Sequence, residues 1–140
     1  MNTRPAVHLA IPVDDLGRAR EFCGSVPGLP EGRGSDHWVD WDLHGHQLVT
    51  HVVSGPVRPA GDSEVDGHEV PIPHFGLLLE TEHFHELAER LHAAGTAFLI
   101  EPYLRFPGQP GEQWTMFFRD PAGNALEFKA FSDEGEVFAR

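Results

Sequence analysis

One order of predicted secondary structure occurs twice along this chain, and this repeat limits the folds that the chain can adopt. Residues 7–13 have the composition of a strand, residues 14–22 that of a helix, and residues 37–44 and 47–53 alternate as strands around a tight turn. After residues 54–71 the order returns in HFGLLLE, HFHELAERLHAAG, TAFLIEP, WTMFFRD and ALEFKAF. We interpret each half as a βαβββ module.

The two halves also match in sequence. A shift of 66 positions places His8 on His74, and a shift of 78 positions places Gly45 on Gly123 and the strand QLVTH on ALEFK. The two histidines therefore occupy the same position in two related modules, and the strands that close the modules correspond.

The composition is that of one globular domain. The 140 residues are 40% hydrophobic and 23% charged, which is enough for a core but too short a chain for two ordinary domains. The net charge of −12 disfavours a nucleic-acid partner. We expect a cytoplasmic protein, because we find no signal-peptide pattern and no apolar run near the roughly 20 residues of a membrane span. Cys23 is the one cysteine, so an internal disulfide is excluded.

Histidine is unusually frequent, with ten in the chain. Three of them belong to the amphipathic helix of the second half, which we expect to begin at a Thr81 cap and to end at Gly95, and we expect these three to face solvent. His8, His51 and His74 differ, because each lies in a strand-like segment that is otherwise suited to a core. These three are candidates for a functional site.

The segment FFRDPAGNALEFKAF, residues 117–131, carries the most specific motif of the chain. Together with the doubled βαβββ order and the histidine on the first strand of each half, it resembles the vicinal oxygen chelate superfamily. That superfamily includes glyoxalase I, extradiol dioxygenases and the bleomycin- and fosfomycin-resistance proteins. The resemblance covers about residues 5–132. It implies an α+β fold in which two βαβββ modules form an eight-stranded open cup that holds a divalent metal ion.

The resemblance implies a metal site of His8, His74 and Glu127, because the last ligand in the family is the Glu three residues after the Asn of the DP-x-GN turn. Because side chains alternate between the two faces of a strand, Glu127 and Lys129 point to one face. Leu126 and Phe128 point to the other face, into the packed interior. An isolated buried carboxylate is costly unless it is paired or bound to a cation. Two imidazoles and one carboxylate suit Fe(II), and Mn, Ni, Co or Zn are also compatible.

A fourth ligand position has two candidates. Glyoxalase-like members take a further Glu from the strand that closes the first module, where the shift of 78 places Val49. Gln47 and His51 share the strand face of Val49. We take His51 as the first candidate and Gln47 as the second, with water or substrate as the remaining alternative.

Residues 101–113, EPYLRFPGQPGEQ, form a Pro- and Gly-rich loop of the kind that often carries function. Arg105 could bind a substrate carboxylate in a bidentate manner, and Tyr103 or Glu112 could transfer protons. Gln113 and Lys129 are further candidates for substrate contacts. A solvated loop with an Arg–Glu surface pair is the alternative interpretation of the segment.

The predicted function is that of a metal-dependent enzyme of dioxygenase or glyoxalase type that acts on a small oxygenated metabolite through neighbouring oxygens. Extradiol members carry a Tyr about ten residues before the last Glu, where this chain has Phe117, which argues against ring cleavage by their route. The alternative is a metal-free protein of bleomycin-resistance type that sequesters a small molecule.

The predicted organisation is one domain over residues 1–140. It comprises module one at about 5–53, an exposed linker at 54–71, module two at about 72–132, and a short tail at 133–140. A linker of about 18 residues can span roughly 20–25 Å, which is enough for the modules to lie side by side. The resemblance implies a homodimer in which module one of one chain completes the site of module two of its partner, and a linker of this length allows that arrangement. The alternative is a monomer whose two modules close one cup.

Overall fold

The structure is a computed structural model that describes residues 4–57 and 60–140. These residues divide into two compact units. Among the described residues, the first unit comprises residues 4–57 together with 120–124, and the second comprises residues 60–119 with 125–140. Each unit contains one α-helix and a β-sheet of the kind expected for a βαβββ-like module, which confirms the predicted α+β fold class.

The first unit has four strands and one helix. The sheet has the strand order β1-β4-β3-β2, in which β1 runs parallel to β4 while the other neighbours are antiparallel. The elements are β1 (His8–Val13), α1 (Leu16–Ser25), β2 (Glu31–Gly34), β3 (Trp38–Leu43) and β4 (His46–Val52).

Helix α1 begins after Asp15, whose carboxylate accepts a hydrogen bond from the backbone N–H of Arg18 at 2.9 Å. This is the N-cap that stabilises the first turn of a helix. The helix packs against β3 and β4 and buries Cys23. Burial, with a smaller contribution from the charge of Asp120, raises the pKa of the Cys23 thiol to about 12. Cys23 is therefore a packed, protonated thiol.

The sheet of the first unit has two different faces. On the face that packs against α1, Trp41 and Thr50 are buried, and the indole N–H of Trp41 donates to the Thr50 hydroxyl at 3.2 Å. The other face presents alternate residues of the three neighbouring strands β1, β4 and β3. These residues are His8, Ala10 and Pro12, then Gln47, Val49 and His51, and then Asp42, Asp40 and Trp38.

The second unit combines a hairpin, a helix, a three-stranded sheet and a short 3-10 helix. The three-stranded sheet has the order β7-β8-β9, and all of its neighbours are antiparallel. The elements are β5 (Gly61–Val65), β6 (His68–Ile72), α2 (Thr81–Ala93), β7 (Phe98–Arg105), β8 (Gln113–Arg119), β9 (Ala125–Phe131) and the 3-10 helix Glu134–Glu136.

Much of the predicted exposed linker over residues 54–71 forms regular secondary structure. Strands β5 and β6 form an antiparallel hairpin from Gly61 to Ile72, closed by the two-residue turn Asp66–Gly67. Both turn residues have positive φ, 51° and 79°. Asp-Gly favours this turn because Gly has no Cβ and Asp tolerates the left-handed region. Residues 58 and 59 of the predicted linker lie outside the described residues.

The predicted strand HFGLLLE is only partly formed. Residues 75–79 run parallel to β9 and exchange backbone hydrogen bonds with it, but the pairing is limited to the isolated bridges Phe75–Leu126 and Leu78–Lys129. Gly76 lies so close to β9 that a Cβ added to it would be 1.6 Å from the carbonyl oxygen of Glu127. Only glycine fits at this crossing, so Gly76 sets the approach of the His74 segment to β9.

Helix α2 covers one face of the three-stranded sheet. Its N-cap residue is Glu80, which makes no side-chain capping bond, so the predicted cap at Thr81 lies one residue too far along the chain. The helix ends at Ala93, and Gly95 follows with φ of 73°, as expected for a helix C-terminus. The buried side chains of this layer are Phe84, Leu87, Leu91, Met116, Phe118 and Phe128. No described helix is both long and apolar enough to cross a membrane.

The DPAGN turn belongs to the first unit and is tightly bonded within it. The Asp120 carboxylate accepts from the backbone N–H of Asn124 at 2.7 Å and from its side-chain amide at 2.9 Å. The same amide donates to the carbonyl of Pro12 at 2.7 Å. The turn is thus attached to β1, and its polar groups are satisfied although Asp120 is buried.

Candidate functional site

The second unit contains a cavity of about 250 Å³ on the sheet face away from α2. This volume is slightly below the usual range for sites that bind drug-sized ligands, so it suits a small metabolite. Two apolar residues come from the hairpin, and charged and aromatic residues come from β7, β8 and β9. The lining residues are Val65, Val70, His74, Ile100, Tyr103, Arg105, Thr115, Phe117, Glu127 and Lys129.

His74 and Glu127 meet in this cavity. The imidazole Nε2 of His74 lies 3.4 Å from Oε1 of Glu127, and both side chains are largely buried, with 26% and 15% of their surface exposed. His74 Nδ1 lies 2.8 Å from the carbonyl oxygen of Pro71 and must donate to it, because a carbonyl oxygen only accepts. In the neutral ring, Nε2 therefore presents a lone pair towards the carboxylate.

Two other contacts fix the pair. The Thr115 hydroxyl donates to Glu127 Oε2 at 2.6 Å, and the Lys129 ammonium lies 4.0 Å from Glu127 Oε1. The ring of His74 packs edge-on against the buried ring of Phe117, with centroids 4.7 Å apart. Oε2 of Glu127 and Nδ1 of His74 are thereby held by hydrogen bonds to neighbouring groups. Oε1 of Glu127 and Nε2 of His74 face each other.

This arrangement fits a cation. Two lone pairs that face each other repel unless a proton or a cation satisfies both, and 3.4 Å is long for a charge-assisted hydrogen bond. Ligands about 2.0–2.2 Å from a tetrahedral metal lie roughly 3.3–3.6 Å apart. The carbonyl bond to His74 Nδ1 and the hydroxyl bond to Glu127 Oε2 are the outer contacts that orient metal ligands. Within residues 4–57 and 60–140, however, no group of three His, Cys, Asp or Glu side chains is placed to hold a metal ion.

A second polar cluster lies at the hairpin side of the cavity. Oδ2 of Asp66 accepts from Arg105 Nε at 2.6 Å and from the Tyr103 hydroxyl at 3.0 Å. These bonds lower the pKa of Asp66, with the Arg105 bond as the main cause. Burial and then the bond to Asp66 raise the pKa of Tyr103. Tyr103 therefore keeps its proton at neutral pH and acts as a hydrogen-bond donor.

Glu112 and Gln113 do not line the cavity. The Glu112 carboxylate accepts hydrogen bonds from the Ser132 hydroxyl and from the backbone N–H of Gly108, and these bonds lower its pKa. It holds the loop closed rather than facing the cavity. Gln113 is 6% exposed, and its amide donates to the Gly111 carbonyl at 3.1 Å. The structure thus brings Tyr103, Arg105 and Lys129 to the cavity, but not these two residues.

In the first unit, Gln47 rather than His51 lies beside His8. His8 and Gln47 are register partners on β1 and β4, and Nδ1 of His8 lies 2.8 Å from Oε1 of Gln47. His51 is paired with Pro12, four residues further along β4, which corresponds to roughly 13 Å along a strand. The geometry therefore favours Gln47 as the neighbour of a His8-bound group.

The registers of the two units support the internal repeat. In the first unit Leu9 pairs with Leu48 in parallel, and in the second Phe75 bridges Leu126 in parallel. The shifts of 66 and 78 positions predict this correspondence. By the same register, Val49 takes the position that Glu127 has in the second unit.

Sequence reasoning missed Asp66 and Thr115 as site residues. The signal for Asp66 was present, because Asp-Gly between the alternating stretches SEV and HEV is a strong hairpin pattern. Thr115 is two residues before Phe117 on β8, and a sequence pattern alone does not show that its register partner is Lys129.

Comparison with known proteins identifies the family. Residues 6–128 match the model of the Glyoxalase/Bleomycin resistance protein/Dioxygenase superfamily, and the chain belongs to this superfamily. A glyoxalase/bleomycin resistance protein/dioxygenase from Alicyclobacillus acidocaldarius is 31% identical, with a TM-score of 0.77 over 97% of this chain and 98% of that one. The fosfomycin resistance protein FosX from Listeria monocytogenes is 16% identical, with a TM-score of 0.72 over 96% and 98%. The search of curated proteins found no match.

Proposed function

We propose that the chain is a divalent-metal-dependent enzyme of dioxygenase or glyoxalase type that acts on a small oxygenated metabolite. The observation that carries the proposal is the His74–Glu127 pair, in which an imidazole nitrogen and a carboxylate oxygen face each other at 3.4 Å at the edge of a cavity. Members of this superfamily often bind a divalent metal ion.

The proposed ligands are His74, Glu127 and His8. The internal repeat supports His8 as the third ligand, because it holds the position in module one that His74 holds in module two. Gln47 or His51 is proposed for a fourth position, and the strand register that places Gln47 beside His8 favours Gln47. Two neutral nitrogens and one carboxylate suit Fe(II) first, with Mn, Ni, Co or Zn as alternatives.

The remaining cavity residues would bind and polarise the substrate. When bound, the divalent ion would hold two neighbouring substrate oxygens and stabilise negative charge that develops on them. Lys129 contributes a positive charge near Glu127, and Tyr103 contributes a protonated hydroxyl that can donate to a substrate oxygen. Arg105 is proposed to bind an acidic group of the substrate. The apolar side chains Val65, Val70, Ile100 and Phe117 form the remaining walls of this region.

The test is metal affinity in matched variants. Glu127→Gln replaces the anionic ligand by a neutral amide of the same shape, and we expect at least a hundredfold loss in affinity for Mn(II) and Zn(II) by calorimetry. Glu101→Gln makes the same change at an exposed surface carboxylate and should leave affinity unchanged. His74→Ala and His83→Ala form a second pair of the same design.

The outcomes separate a metal-dependent protein from a metal-free binding protein. Equal metal affinity in Glu127→Gln and the parent chain would refute the role of Glu127. If the parent chain takes up neither Fe(II), Mn(II) nor Zn(II), the metal-free binding protein is the better description. Folding of each variant is checked by circular dichroism, so that loss of affinity is not confused with loss of structure.

A further inference from the structure

The side chain of Asp66 attaches the tip of the β5–β6 hairpin to the cavity. Asp66 lies in the tight turn, and its Oδ2 accepts from both Arg105 and Tyr103, at 2.6 and 3.0 Å. Arg105 and Tyr103 are two residues apart on β7 and both line the cavity. The hairpin base is held differently, because Val70 is buried against Phe117, Ala125 and Ile100.

The contact between Asp66 and Arg105 balances one of the cationic side chains that line the cavity. Arg105 and Lys129 are the cationic lining residues in the described part of the chain, and Glu127 is the anionic one. Lys129 has Glu127 nearby, so the charge of Arg105 is balanced by Asp66, which comes from the hairpin. The Arg105 side chain is only 14% exposed, so its interaction with an anion is weakly screened.

The register of the sheet separates Arg105 from the metal-ligand pair. Arg105 pairs with Gln113, and Glu127 pairs with Phe117, so the two lie four residues apart along β8, roughly 13 Å. A small molecule with reacting oxygens at Glu127 and one acidic group at Arg105 would extend along the cavity past Tyr103 and Lys129.

We propose that Asp66 is a specificity-determining residue of this cavity: its carboxylate occupies Arg105 and Tyr103 until the acidic group of a small, partly apolar anionic substrate displaces it. This inference rests on the proposed use of the cavity as the substrate site, and it adds the substrate class, a carboxylate with an apolar body. Neutral analogues leave Asp66 in place and gain no charge-assisted bond to Arg105. Because Asp66 competes for Arg105, it lowers the affinity for every anion, so an anion displaces it only when further contacts with the cavity contribute to binding.

Benzoate and benzamide are suitable probes, because they share size and shape and differ in charge. Their affinities are measured by NMR titration, which detects weak binding, on the parent chain and on Asp66→Asn with and without added Zn(II). Asn tolerates the left-handed turn conformation, so the hairpin is expected to form. Asp62→Asn is the matched control, because Asp62 is an exposed carboxylate on β5 of the same hairpin.

We expect Asp66→Asn to bind benzoate about tenfold more tightly than the parent chain and to bind benzamide equally, as is typical for removal of one member of a close charge pair. Asp62→Asn should change neither affinity, and Asp66→Asn/Arg105→Gln should lose the gain. A merely structural role of Asp66 would not change the ratio of benzoate to benzamide affinity.

Three results would overturn the proposal. These are unchanged, weaker or undetectable benzoate binding in Asp66→Asn, an equal gain in Asp62→Asn, and a gain that persists without Arg105. The effect is expected with and without Zn(II). Failure of the chain to bind Zn(II) would therefore count against the proposed metal-dependent function, while the Asp66 result would still stand or fall by itself.

Discussion

At the scale of single residues, the orientation of Glu127 depends on one buried hydroxyl. Thr115 is 3% exposed and donates to Oε2 of Glu127 at 2.6 Å. Thr115→Val keeps the shape and removes the donor, and we expect the free energy of unfolding to fall by about 1–2 kcal/mol and affinity for Mn(II) to fall about tenfold. Urea denaturation and calorimetry measure the two effects. Thr96→Val, outside the cavity, is the control, and equal metal affinity in both variants would contradict the prediction.

The absorbance of Tyr103 can report on its hydrogen bond to Asp66 in the hairpin. Its signal is unambiguous because Tyr103 is the one tyrosine of the chain. Burial and the bond to Asp66 raise its pKa, so the phenolate absorbance should appear at a pH above the ordinary value of about 10. Asp66→Asn removes one of these causes and should lower the midpoint. An absorbance titration near 295 nm measures both, and an equal midpoint in the two proteins would mean that Asp66 does not bond Tyr103 in solution.

Asp120 gives a pH dependence of stability with a definite sign. Burial raises its pKa above the value in the unfolded chain, although hydrogen bonds from Asn124 oppose this in part. The folded state therefore binds this proton more tightly. Protonated Asp120 contributes fully to stability below its pKa in the unfolded chain, about 3.9. This contribution is lost as the pH rises through the pKa of Asp120 in the folded state.

Asp120→Asn removes this titration. The parent chain should lose stability relative to Asp120→Asn as the pH rises from about 3 to 7. The quantity compared is the unfolding free energy of the parent chain minus that of the variant. Chemical denaturation at a series of pH values measures the difference. A difference that stays constant or increases over this range would show that burial does not dominate the titration of Asp120.

At the scale of elements, the crossing of residues 75–79 with β9 requires Gly76. A Cβ at this position would overlap the carbonyl oxygen of Glu127, since the two atoms would be 1.6 Å apart. We expect Gly76→Ala to lower the unfolding free energy by at least about 2 kcal/mol, because the neighbouring atoms are backbone and cannot rotate away. Gly61→Ala is the control, because a Cβ there meets nothing within 4 Å. Thermal denaturation compares the two variants, and similar losses in both would refute the prediction.

The sequence could predict the elements that have strong local patterns. The amphipathic helix α2, the strand β9 with Glu127 and Lys129 on one face, and the parallel correspondence of the two halves all follow from periodicity and the internal repeat. Gly, Pro and acidic residues dominate the hairpin segment and favour the linker that the sequence predicts there. The strand at residues 75–79 was over-predicted, because its apolar run gives no sign that Gly76 would meet the backbone of β9.

The sequence identifies candidate site residues only where a residue type that can bind a metal also lies at a position marked by the internal repeat or by the DP-x-GN turn. His74 and Glu127 could be chosen because one matches His8 and the other follows the DP-x-GN turn. The choice between Gln47 and His51 depends on the register of β4 with β1, which face alternation alone does not fix. The contact of Asp66 with Arg105 joins positions 39 residues apart, so the Asp-Gly pattern indicates the turn but not this contact.

At the scale of the whole molecule, we expect a homodimer in which His8 of one chain and the His74–Glu127 pair of its partner form a shared site. Light scattering should then give about twice the 15.5 kDa of one chain. Because the site would need both chains, dilution should release metal together with dimer dissociation. A stable monomer with full metal occupancy would exclude the shared site.

The buried state of Cys23 has a practical consequence for spectroscopy. A thiol with a pKa of about 12, packed within α1, reacts slowly with maleimides and nitroxide reagents at neutral pH. A new cysteine at an exposed hairpin position such as Ser63→Cys would therefore be labelled selectively, with the native cysteine left in place. A spin label or fluorophore at that position could follow movement of the hairpin as ligands bind, with the unmodified chain as the measure of background labelling.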